Sequence, residues 1–521
     1  MINGTIEALI AVTLVGSFVV MAGSDRYAAK LATAWSLLPL AGSLVMWASF
    51  DGTGNALLGG DVVFMSRETW IGVGPLPDIQ WFVGVDGISM PLVVLTSVLT
   101  TLALVSAWTP IDDRQSQFYA LVLFLEAGLL GVFTALDFFV WFVFWEAVLV
   151  PMYFLIGIWG GPRRKYAAIK MFVYTNIASL VMFLGYAALV FGLGDAVSTF
   201  SMPEVAQALV VDGATPDAFG FIDPSTVKLA AFVAMFAGFA VKVPVVPFHT
   251  WLPDAHVEAP TPVSVLLAGV LLKMGTYALL RFNFTMLPDV AQANMPIIAA
   301  FALVSIIYGA MLALAQSDLK RIVAYSSVSS MGYVILGLIA YTLYGIGGAT
   351  FQMISHGLIS GLMFMAVGVI YNTTHTRMVT DMSGMAEKMP YTVGIFLAGA
   401  FGYMGLPLMS GFAAEFYVFL GAFQAGALNV PNYDMMPIFT GVAMFGIVIV
   451  AGYLLFAMQR TLFGQFRLET DYEVGRAPLH DIAPLAVLLV MIIALGTQPD
   501  IFFEMIRDAS GPVADLVGGG A

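Results

Sequence analysis

The chain has 521 residues, of which 60% are hydrophobic and only 10% are charged, with a mean hydropathy of +0.92. Soluble domains are about half apolar and about a quarter charged, so this composition excludes a soluble protein and indicates many membrane spans. The chain has no cysteine, which excludes disulfides, cysteine-ligated iron–sulfur clusters and covalently attached c-type haem. The net charge of −13 identifies no partner, because orientation in a membrane depends on where Lys and Arg lie along the chain.

Apolar stretches long enough to cross a membrane recur along the whole chain. A span needs about 20 mostly apolar residues, and the sequence predicts an all-α polytopic membrane protein with about 14 transmembrane helices. The first apolar stretch has no basic start, so we expect a retained helix and not a cleaved signal peptide. The predicted spans are 5–22, 31–49, 88–108, 117–134, 136–158, 167–192, 227–258, 262–281, 295–315, 321–342, 346–371, 391–424, 436–459 and 481–498.

Two predicted spans, 227–258 and 391–424, are too long for one straight helix. Proline removes a helical hydrogen bond and glycine weakens a helix interior, so such residues interrupt a span. The helix-breaking residues near the middle of these two spans are Pro244, Pro247, Gly405 and Pro407. The sequence therefore predicts two discontinuous helices.

The placement of the basic residues predicts the orientation. Fourteen of the 20 Lys and Arg residues lie in loops that follow odd-numbered spans, and four lie after even-numbered spans or in the C-terminal tail. The remaining two, Lys242 and Lys273, lie inside spans. Because positive loops face the cytoplasm, we expect both termini on the periplasmic side of the inner (plasma) membrane of a bacterium.

The two interrupted spans occupy matching positions in two blocks of five helices. The first block is 111–281 (helices 4 to 8) and the second is 295–462 (helices 9 to 13), and the fourth helix of each is broken. Inverted repeats with interrupted helices are typical of transporters and place ion sites near the membrane midplane. We therefore divide the chain into three N-terminal transmembrane helices (1–110), two inverted five-helix repeats that each contain a discontinuous helix, and helix 14 with a tail (463–521).

Charged residues lie near the middle of several predicted spans. A charge at the bilayer centre costs roughly 2.5–3.5 kcal/mol on insertion scales, so each is a hypothesis for function. The structural alternative is a static ion pair that fixes helix packing, although such a pair rarely stabilises a fold more than apolar residues would. The residues are Glu126 in LFLEAGLL, Glu146 in FVFWEAVLVP, Lys242 in GFAVKVPVVP, Lys273 in VLLAGVLLKMGTYALL and Glu415 in SGFAAEFYVF.

The broken helix beside Lys242 favours a functional interpretation. Irregular backbone at membrane depth is tolerated where it is buried in protein or lines a hydrated cavity. A lysine there would hold a proton while a carboxylate stays close and would release it when the carboxylate moves away. His249, after the break, and His356, in FQMISHGLISG, could pass protons because imidazole titrates near neutrality. The alternative for each is a hydrogen-bonded packing histidine.

The remaining polar motifs indicate structure more than chemistry. We expect His256, in WLPDAHVEAPTP, at a helix end near Asp254 and Glu258. The serine run YSSVSSMGY, 325–333, would either hydrate a path or hold helices together by hydrogen bonds. The sequence contains no P-loop, dinucleotide fingerprint or metal-ligand cluster, so it offers no site for ATP hydrolysis or NADH binding.

Three long motifs resemble one known family. FWEAVLVPMYFLIGIWGG, VKVPVVPFHTWLPDAHVEAPTPVSVLLAGVLLKMGTYALLRF and DLKRIVAYSSVSSMGYV are similar to the antiporter-like subunits of respiratory complex I, and the resemblance covers about residues 80–465. Inside that family, two features resemble the branch called subunit M or chain 4. They are the motif PDAHVEAP and the acidic Glu415, where the sister subunits L and N typically carry lysine.

The resemblance implies a role for four of the charged residues. Glu146 and Lys242 would be the coupled pair of a first half-channel. Lys273 would be the central relay lysine, and Glu415 would be the terminal proton donor of the second half-channel.

The resemblance also implies a relay along the polar axis through His249 and His356. One departure is Ser330, because many relatives have a histidine at that position. A serine cannot hold an extra proton, so the path between Lys273 and Glu415 would depend on water.

Together these features predict a proton-translocating membrane subunit of NADH:quinone oxidoreductase with no redox centre in this chain. NADH, FMN, iron–sulfur clusters and quinone would be bound by partner subunits. The partners would be other membrane subunits of complex I, including subunits L and N, with phospholipids and no nucleic acid. Three alternatives stay open: the large subunit of a multi-subunit cation/proton antiporter, a subunit of a membrane-bound hydrogenase, and a scaffold that only anchors its neighbours.

Overall fold

The computed structural model describes residues 4–72, 74, 76–217, 220, 222–472 and 474–517. In this part of the chain, thirteen helical runs are long and apolar enough to cross a membrane. The one predicted span outside this set, the twelfth (391–424), is present as two helices that are each too short to qualify. The prediction of an all-α polytopic membrane protein is confirmed. The chain ends Met1 and Ala521, whose side of the membrane the sequence predicts, lie outside the described residues.

The N-terminal region combines three helices with a β-hairpin. Helices α1 (Thr5–Ala22) and α2 (Asp25–Ala48) expose many large apolar side chains, as lipid-facing helices do. Strands β1 (Val63–Ile71) and β2 (Ile79–Val85) then pair antiparallel, where the sequence predicted only a connection. Helix α3 (Ser89–Ser106) follows and is almost entirely buried.

The first helical block contains the first break. Its helices are α4 (Gln115–Thr134), α5 (Phe138–Ala147), α6 (Leu149–Trp159), α7 (Arg164–Leu193), α8 (Met202–Ala206), α9 (Pro224–Lys242), α10 (Trp251–Glu258), α11 (Thr261–Leu266) and α12 (Leu272–Ala278). Side-chain caps begin two of them: Asp137 accepts hydrogen bonds from the N–H groups of Phe139 and Val140, and Asp223 accepts one from Ser225. The chain leaves helical geometry after α9, so the first predicted discontinuity is confirmed.

The fifth predicted span, 136–158, is present as α5 and α6, which Val148 joins with helical backbone angles. Pro151 has no N–H, so the carbonyl of Ala147 lacks its usual helical donor. Glu146 therefore lies next to a carbonyl group that lacks its helical donor.

The second helical block contains the second break. Its helices are α13 (Pro288–Ala293), α14 (Met295–Leu314), α15 (Leu319–Leu338), α16 (Leu343–Thr374), α17 (Met385–Lys388), α18 (Pro390–Tyr403), α19 (Ser410–Ala425) and α20 (Met436–Leu462). A short antiparallel pair joins β3 (Met382–Ser383) to β4 (Arg467–Leu468). The chain leaves helical geometry between α18 and α19, so the second predicted discontinuity is also confirmed.

Helix α16 lies at the centre of the molecule. It packs against α15, α18 and α19, and its apolar part is completely buried, as is the run that contains α11 and α12. By contrast, only 28% of the apolar part of α2 is buried. The centre of the fold is therefore shielded from lipid, which is the setting in which charged side chains are tolerated within a membrane.

Two C-terminal helices, α21 (Leu479–Thr497) and α22 (Asp500–Ala514), complete the fold. Both pack against α16. The ring of Phe503 in α22 stacks on Tyr417 of α19 with 4.0 Å between ring centroids, and Asp508 accepts a hydrogen bond from the N–H of Gly54 at 2.6 Å. The amphipathic α22 thus connects the loop after α2 to the second broken helix.

Candidate functional site: a buried line of acids, lysines and histidines

The centre of the site is Lys273, on α12. Its Nζ atom donates a hydrogen bond to the carbonyl oxygen of Ala268 at 2.5 Å and lies 2.6 Å from Nδ1 of His356 on α16. Both side chains are buried. When Lys273 is protonated its ammonium group can only donate, so the contact then uses the lone pair on Nδ1 of His356. Two residues that the sequence singled out separately therefore form one pair.

Two π-helical turns flank α12, at Leu267–Leu271 and Leu279–Phe284. Turns of this kind occur frequently at functional sites. The first turn brings the carbonyl of Ala268 towards Nζ of Lys273. The sequence predicted a regular helix over this span, since the apolar run contains no breaker that would mark a wide turn.

The first predicted pair, Glu146 and Lys242, is arranged as neighbours without a hydrogen bond between them. Oε2 of Glu146 accepts a hydrogen bond from Nδ2 of Asn176 at 3.0 Å. Nζ of Lys242 lies 5.0 Å from the centre of the Trp145 ring. Oε1 of Glu146 and Nζ of Lys242 have no hydrogen-bond partner among the described residues. The arrangement is not the static ion pair of the structural alternative.

The first break fixes the position of Lys242, the last residue of α9. Across the break, the indole Nε1 of Trp251 donates to the carbonyl oxygen of Val241 at 2.8 Å. On the other side, the N–H of Val246 donates to Oγ of Ser305 on α14 at 3.1 Å. Protein groups thus satisfy part of the interrupted backbone, and the lysine lies at a helix C-terminus, where the dipole favours a positive charge.

His249 lies in the first break and is 7% exposed. Its ring is 6.0 Å from the ring of Tyr308 and 6.3 Å from that of Tyr325. Nδ1 of His249 has no hydrogen-bond partner in the described part of the chain. The structure therefore places this histidine beside the first broken helix, as the sequence predicted.

His256 is a buried group whose burial the sequence did not predict. It lies in the last turn of α10, as expected, but it is completely buried and stacks on Phe364 of α16 with 4.3 Å between ring centroids. Neither ring nitrogen has a hydrogen-bond partner among the described residues. The positive charges that act on it belong to Lys320 and Lys273. The sequence feature that could have indicated this burial is the spacing of His256 from His249, which is seven residues or about two helical turns.

Lys320 is a second buried group, at the start of α15. The sequence counted it among loop residues, but it is 4% exposed and its Nζ donates to the carbonyl oxygen of Ala259 at 2.8 Å. The neighbouring Asp318 forms an ion pair of 2.6 Å with Arg377. These groups and Glu258 line a cavity of about 490 Å³, which lies next to the most positive loops of the chain.

The second break positions Glu415. Gly405, between α18 and α19, has a φ of 63°, and a Cβ atom there would lie 2.5 Å from Oε2 of Glu415. Glu415 is buried, and this Oε2 has no hydrogen-bond partner within the described ranges. At the start of α19, Oγ of Ser410 accepts a hydrogen bond of 2.8 Å from Ser355 of α16. Glycine at position 405 thus allows the turn and leaves space for the carboxylate.

Glu126 lies apart from the other predicted residues. It is completely buried in α4, and neither carboxylate oxygen has a hydrogen-bond partner in the described part of the chain. No hydrogen bond or ion pair among the described residues joins it to Glu146, Lys242 or Lys273. The structure does not assign Glu126 to the same line of groups.

The fold and the site define a class of protein. Many buried helices, two broken helices, and acids, lysines and histidines near the breaks are typical of membrane proteins that move protons or other cations. Among the described residues, no group of three His, Cys, Asp or Glu side chains is placed to hold a metal ion.

Comparison with known proteins agrees with this class. The family model described as NADH:quinone oxidoreductase/Mrp antiporter, TM, matches residues 135–439. NADH-quinone oxidoreductase subunit M of Rhodobacter capsulatus is 38% identical over 500 residues, which cover 95% of this chain and 91% of that protein. F(420)H(2) dehydrogenase subunit M of Methanosarcina mazei is 38% identical over 493 residues, which cover 93% of this chain and 92% of that protein.

A solved structure shows the same fold. A chain of respiratory complex I from Thermus thermophilus with bound NADH superimposes with a TM-score of 0.85 at 24% identity, covering 99% of this chain and 100% of that chain. The family model and the two relatives show that this chain belongs to the NADH:quinone oxidoreductase/Mrp antiporter family, and the resemblance drawn from its motifs is confirmed. The region that the family model matches contains both breaks and all the predicted site residues except Glu126.

Proposed function

We propose that this chain is a proton-translocating membrane subunit of an NADH:quinone oxidoreductase of the complex I type. The observation that carries the proposal is the buried contact between Lys273 and His356, which lies on central helices between two broken ones. The similarity to the Rhodobacter capsulatus protein over nearly the whole of both chains supports NADH as the electron source. The similarity to the Methanosarcina mazei protein supports the same membrane role with a different electron donor.

Unpartnered polar atoms support a hydrated path through the site. Oε1 of Glu146, Nζ of Lys242, Nε2 of His356 and Oε2 of Glu415 have no hydrogen-bond partner among the described residues. An unsatisfied buried group costs about 1–3 kcal/mol, and more when it is charged, so buried polar groups are normally paired with protein or ordered water. We therefore assign water molecules to the spaces between these four side chains.

The proposed cycle begins at the first pair. When the carboxylate of Glu146 moves relative to Lys242, the lysine holds its proton more or less strongly. The released proton passes through water to the Lys273–His356 pair and leaves through Glu415. Moving one charge against the membrane potential requires about 2.3 kcal/mol per 100 mV, and breaking a buried ion pair changes the energy by about 3–5 kcal/mol. Charge rearrangement at one pair is thus large enough to oppose a typical potential.

We also propose the finer organisation predicted from the sequence: three N-terminal helices (1–110), two inverted repeats (111–281 and 295–462) and a C-terminal part (463–521). The two confirmed breaks in corresponding helices support the repeats. Other membrane subunits of the complex, including L and N, together with phospholipids would cover the exposed apolar side chains. NADH, FMN, iron–sulfur clusters and quinone would be held by partner subunits, in the inner membrane of a bacterium.

The test is Lys273→Met in the assembled complex, measured in inverted membrane vesicles that oxidise NADH. We expect the initial rate of proton uptake per assembled complex to fall at least about tenfold, because a positioned proton carrier typically contributes 10²–10⁴-fold. The matched control is Lys165→Met, since Lys165 is exposed at the start of α7. Wild-type proton uptake by an assembled Lys273→Met complex would contradict the proposal and would favour a scaffold role.

A second candidate function is the large subunit of a multi-subunit cation/proton antiporter, because the matching family description names both kinds of protein. Vesicles without an electron donor distinguish the two functions. Sodium/proton exchange that depends on this chain but not on NADH would favour the antiporter. Proton uptake that begins only when NADH is added would favour the proposed function.

A further inference from the structure

Tyr403 is a buried group that the proposed cycle does not yet use. It is the last residue of α18, directly before the second break, and it is 5% exposed. Its ring centroid lies 5.7 Å from that of His356. Its hydroxyl group has no hydrogen-bond partner among the described residues. A buried hydroxyl that pairs with no protein group costs stability, so a second role is needed to explain its position.

Serine hydroxyl groups lie beside Tyr403 on two other helices. They belong to Ser360, one turn after His356 on α16, and to Ser327 on α15. Neither is aligned for a direct hydrogen bond with Tyr403. Each serine donates to its own helix, Ser360 to Gly357 at 3.3 Å and Ser327 to a carbonyl oxygen one turn earlier at 3.3 Å. Their lone pairs therefore remain available to accept.

A second tyrosine continues this group towards Glu415. The hydroxyl of Tyr453, on α20, donates to Oγ of Ser326 at 2.6 Å, and Ser326 is adjacent to Ser327 in sequence. Tyr453 is 2% exposed. The charge of Glu415 and the hydroxyl of Tyr403 both act on Tyr453 electrostatically. Hydroxyl groups from four helices therefore lie near His356 and Glu415.

We propose that Tyr403 is a relay residue that carries the proton from His356 towards Tyr453 and Glu415. This inference rests on the proposed function and assigns a further residue to it. A tyrosine hydroxyl donates and accepts at once, so the transfer is balanced. As Lys273 gives a proton to Nδ1 of His356, the Nε2–H bond breaks, and its proton forms a new O–H bond on Tyr403. The original Tyr403 proton leaves towards Tyr453, directly or through one water molecule, and no oxidant or reductant is needed.

This assignment accounts for Ser330, where the family resemblance leads one to expect histidine. Ser330 lies four residues after Ser326 and therefore on the same face of α15. Because serine cannot carry an extra proton at this position, another group must carry the proton between His356 and Glu415. The hydroxyl groups of Tyr403 and Tyr453 lie at this level of the fold and can do so without a stable charged intermediate.

The test is Tyr403→Phe in the assembled complex, with proton uptake per electron measured in inverted vesicles. Phenylalanine keeps the ring and removes only the hydroxyl. The matched control is Tyr433→Phe, because Tyr433 is also completely buried but its hydroxyl donates to the carbonyl of Ile339 at 2.9 Å. We expect Tyr403→Phe to lower the proton uptake rate about tenfold and to raise the solvent isotope effect in D₂O, whereas the control stays at the wild-type value.

Two outcomes separate the relay from the proposed function. If Lys273→Met abolishes proton uptake while Tyr403→Phe matches wild type per assembled complex, the relay is overturned and the function stands. If Lys273→Met pumps normally, the function fails and the relay fails with it. A packing defect would reduce the amount of assembled complex and leave the isotope effect unchanged, and that result would also overturn the relay.

Discussion

Two buried cations of this protein differ in how completely they are paired. The guanidinium of Arg281, 1% exposed, donates to Oδ1 of Asp86 at 2.5 Å. Asp86 also accepts hydrogen bonds from the N–H groups of Ala56 and Ser89. By contrast, Nζ of Lys242 has no hydrogen-bond partner among the described residues. A buried cation in direct contact with a counter-charge stabilises one conformation, whereas one without such a contact can change its proton, so we assign Arg281 to structure and Lys242 to transport.

The paired carboxylate gives a prediction for stability and its pH dependence. Burial opposes the ionisation of Asp86, but the Arg281 guanidinium and backbone N–H groups outweigh it and hold the pKa of Asp86 below its ordinary value of 3.8. Its stabilisation is therefore complete above about pH 4 and is lost as the pH falls through the lower, folded-state pKa. We expect Asp86→Asn to lower the free energy of unfolding by about 3–5 kcal/mol, because Arg281 then stays buried without a counter-charge.

The measurement is the thermal unfolding midpoint of the purified complex at several pH values. The difference between Asp86→Asn and wild type should be the same at pH 8 and pH 5, since Asp86 stays ionised over that range in both folded and unfolded chains. Asp51→Asn is the control, because Asp51 is an exposed acid in a neighbouring loop. A difference that shrinks between pH 8 and pH 5 would contradict the prediction.

At the scale of elements, each broken helix places a charged side chain beside its gap. Lys242 ends the helix before the first break, and Glu415 lies in the helix after the second break. A hydrogen bond from Trp251 crosses the first break and stabilises it. In the second break, Gly405 adopts the left-handed conformation that the turn requires. The two helix breaks are therefore part of the site, because specific residues define them and place Lys242 and Glu415 beside them.

Gly405→Ala gives a direct test of the second break. Alanine is strained at a φ of 63°, and its Cβ would lie 2.5 Å from Oε2 of Glu415. We expect a loss of about 1–3 kcal/mol in stability and reduced proton uptake, because the carboxylate must move. Thermal unfolding and vesicle assays on the same preparation measure both effects.

The control for this experiment lies in the same broken helix. Gly394 is in α18, and a Cβ there meets no atom within 4 Å. Gly394→Ala should keep proton uptake at the wild-type rate and raise stability by about 0.5–1 kcal/mol, since alanine is favoured in a helix interior. Equal effects of the two substitutions would show that the break does not position Glu415.

Some of these elements could be predicted from the sequence and others could not, for identifiable reasons. Pro247 and Gly405 predict the two breaks because the residue type alone determines how proline and glycine affect a helix. The direct contact of Lys273 with His356 joins residues 83 positions apart, and no local pattern encodes it. Tyr403 was not singled out, because a tyrosine in an apolar span looks like a packing residue until its unpaired hydroxyl is seen.

At the scale of the whole molecule, burial separates lipid-facing helices from the helices of the site. The apolar part of helix α16 is completely buried, whereas only 28% of the apolar part of α2 is buried. The strands β1 and β2 lie between the second and third spans, on the side that the basic residues predict to be periplasmic. The loop before α7, with Arg163 and Arg164, lies on the opposite, cytoplasmic side of this predicted arrangement.

The absence of cysteine allows a direct test of this orientation. Single cysteines would replace Thr69, exposed in β1, or Lys165, exposed at the start of α7. In intact spheroplasts, we expect a membrane-impermeant maleimide to label Thr69→Cys and to leave Lys165→Cys unlabelled until the membrane is opened. The reversed labelling pattern would contradict the predicted orientation.

The two wide turns around α12 have a consequence for chain length. A wide turn contains one residue more than an ordinary turn of the helix, so deleting a single residue from Leu267–Leu271 would restore regular geometry. That deletion would leave the span long and apolar enough to insert and would keep Lys273 on the same face, but it would return the carbonyl of Ala268 to the ordinary helical pattern and away from Nζ of Lys273. In this part of the protein, deletion of one apolar residue would therefore disturb the contacts of the lysine without changing the lysine itself.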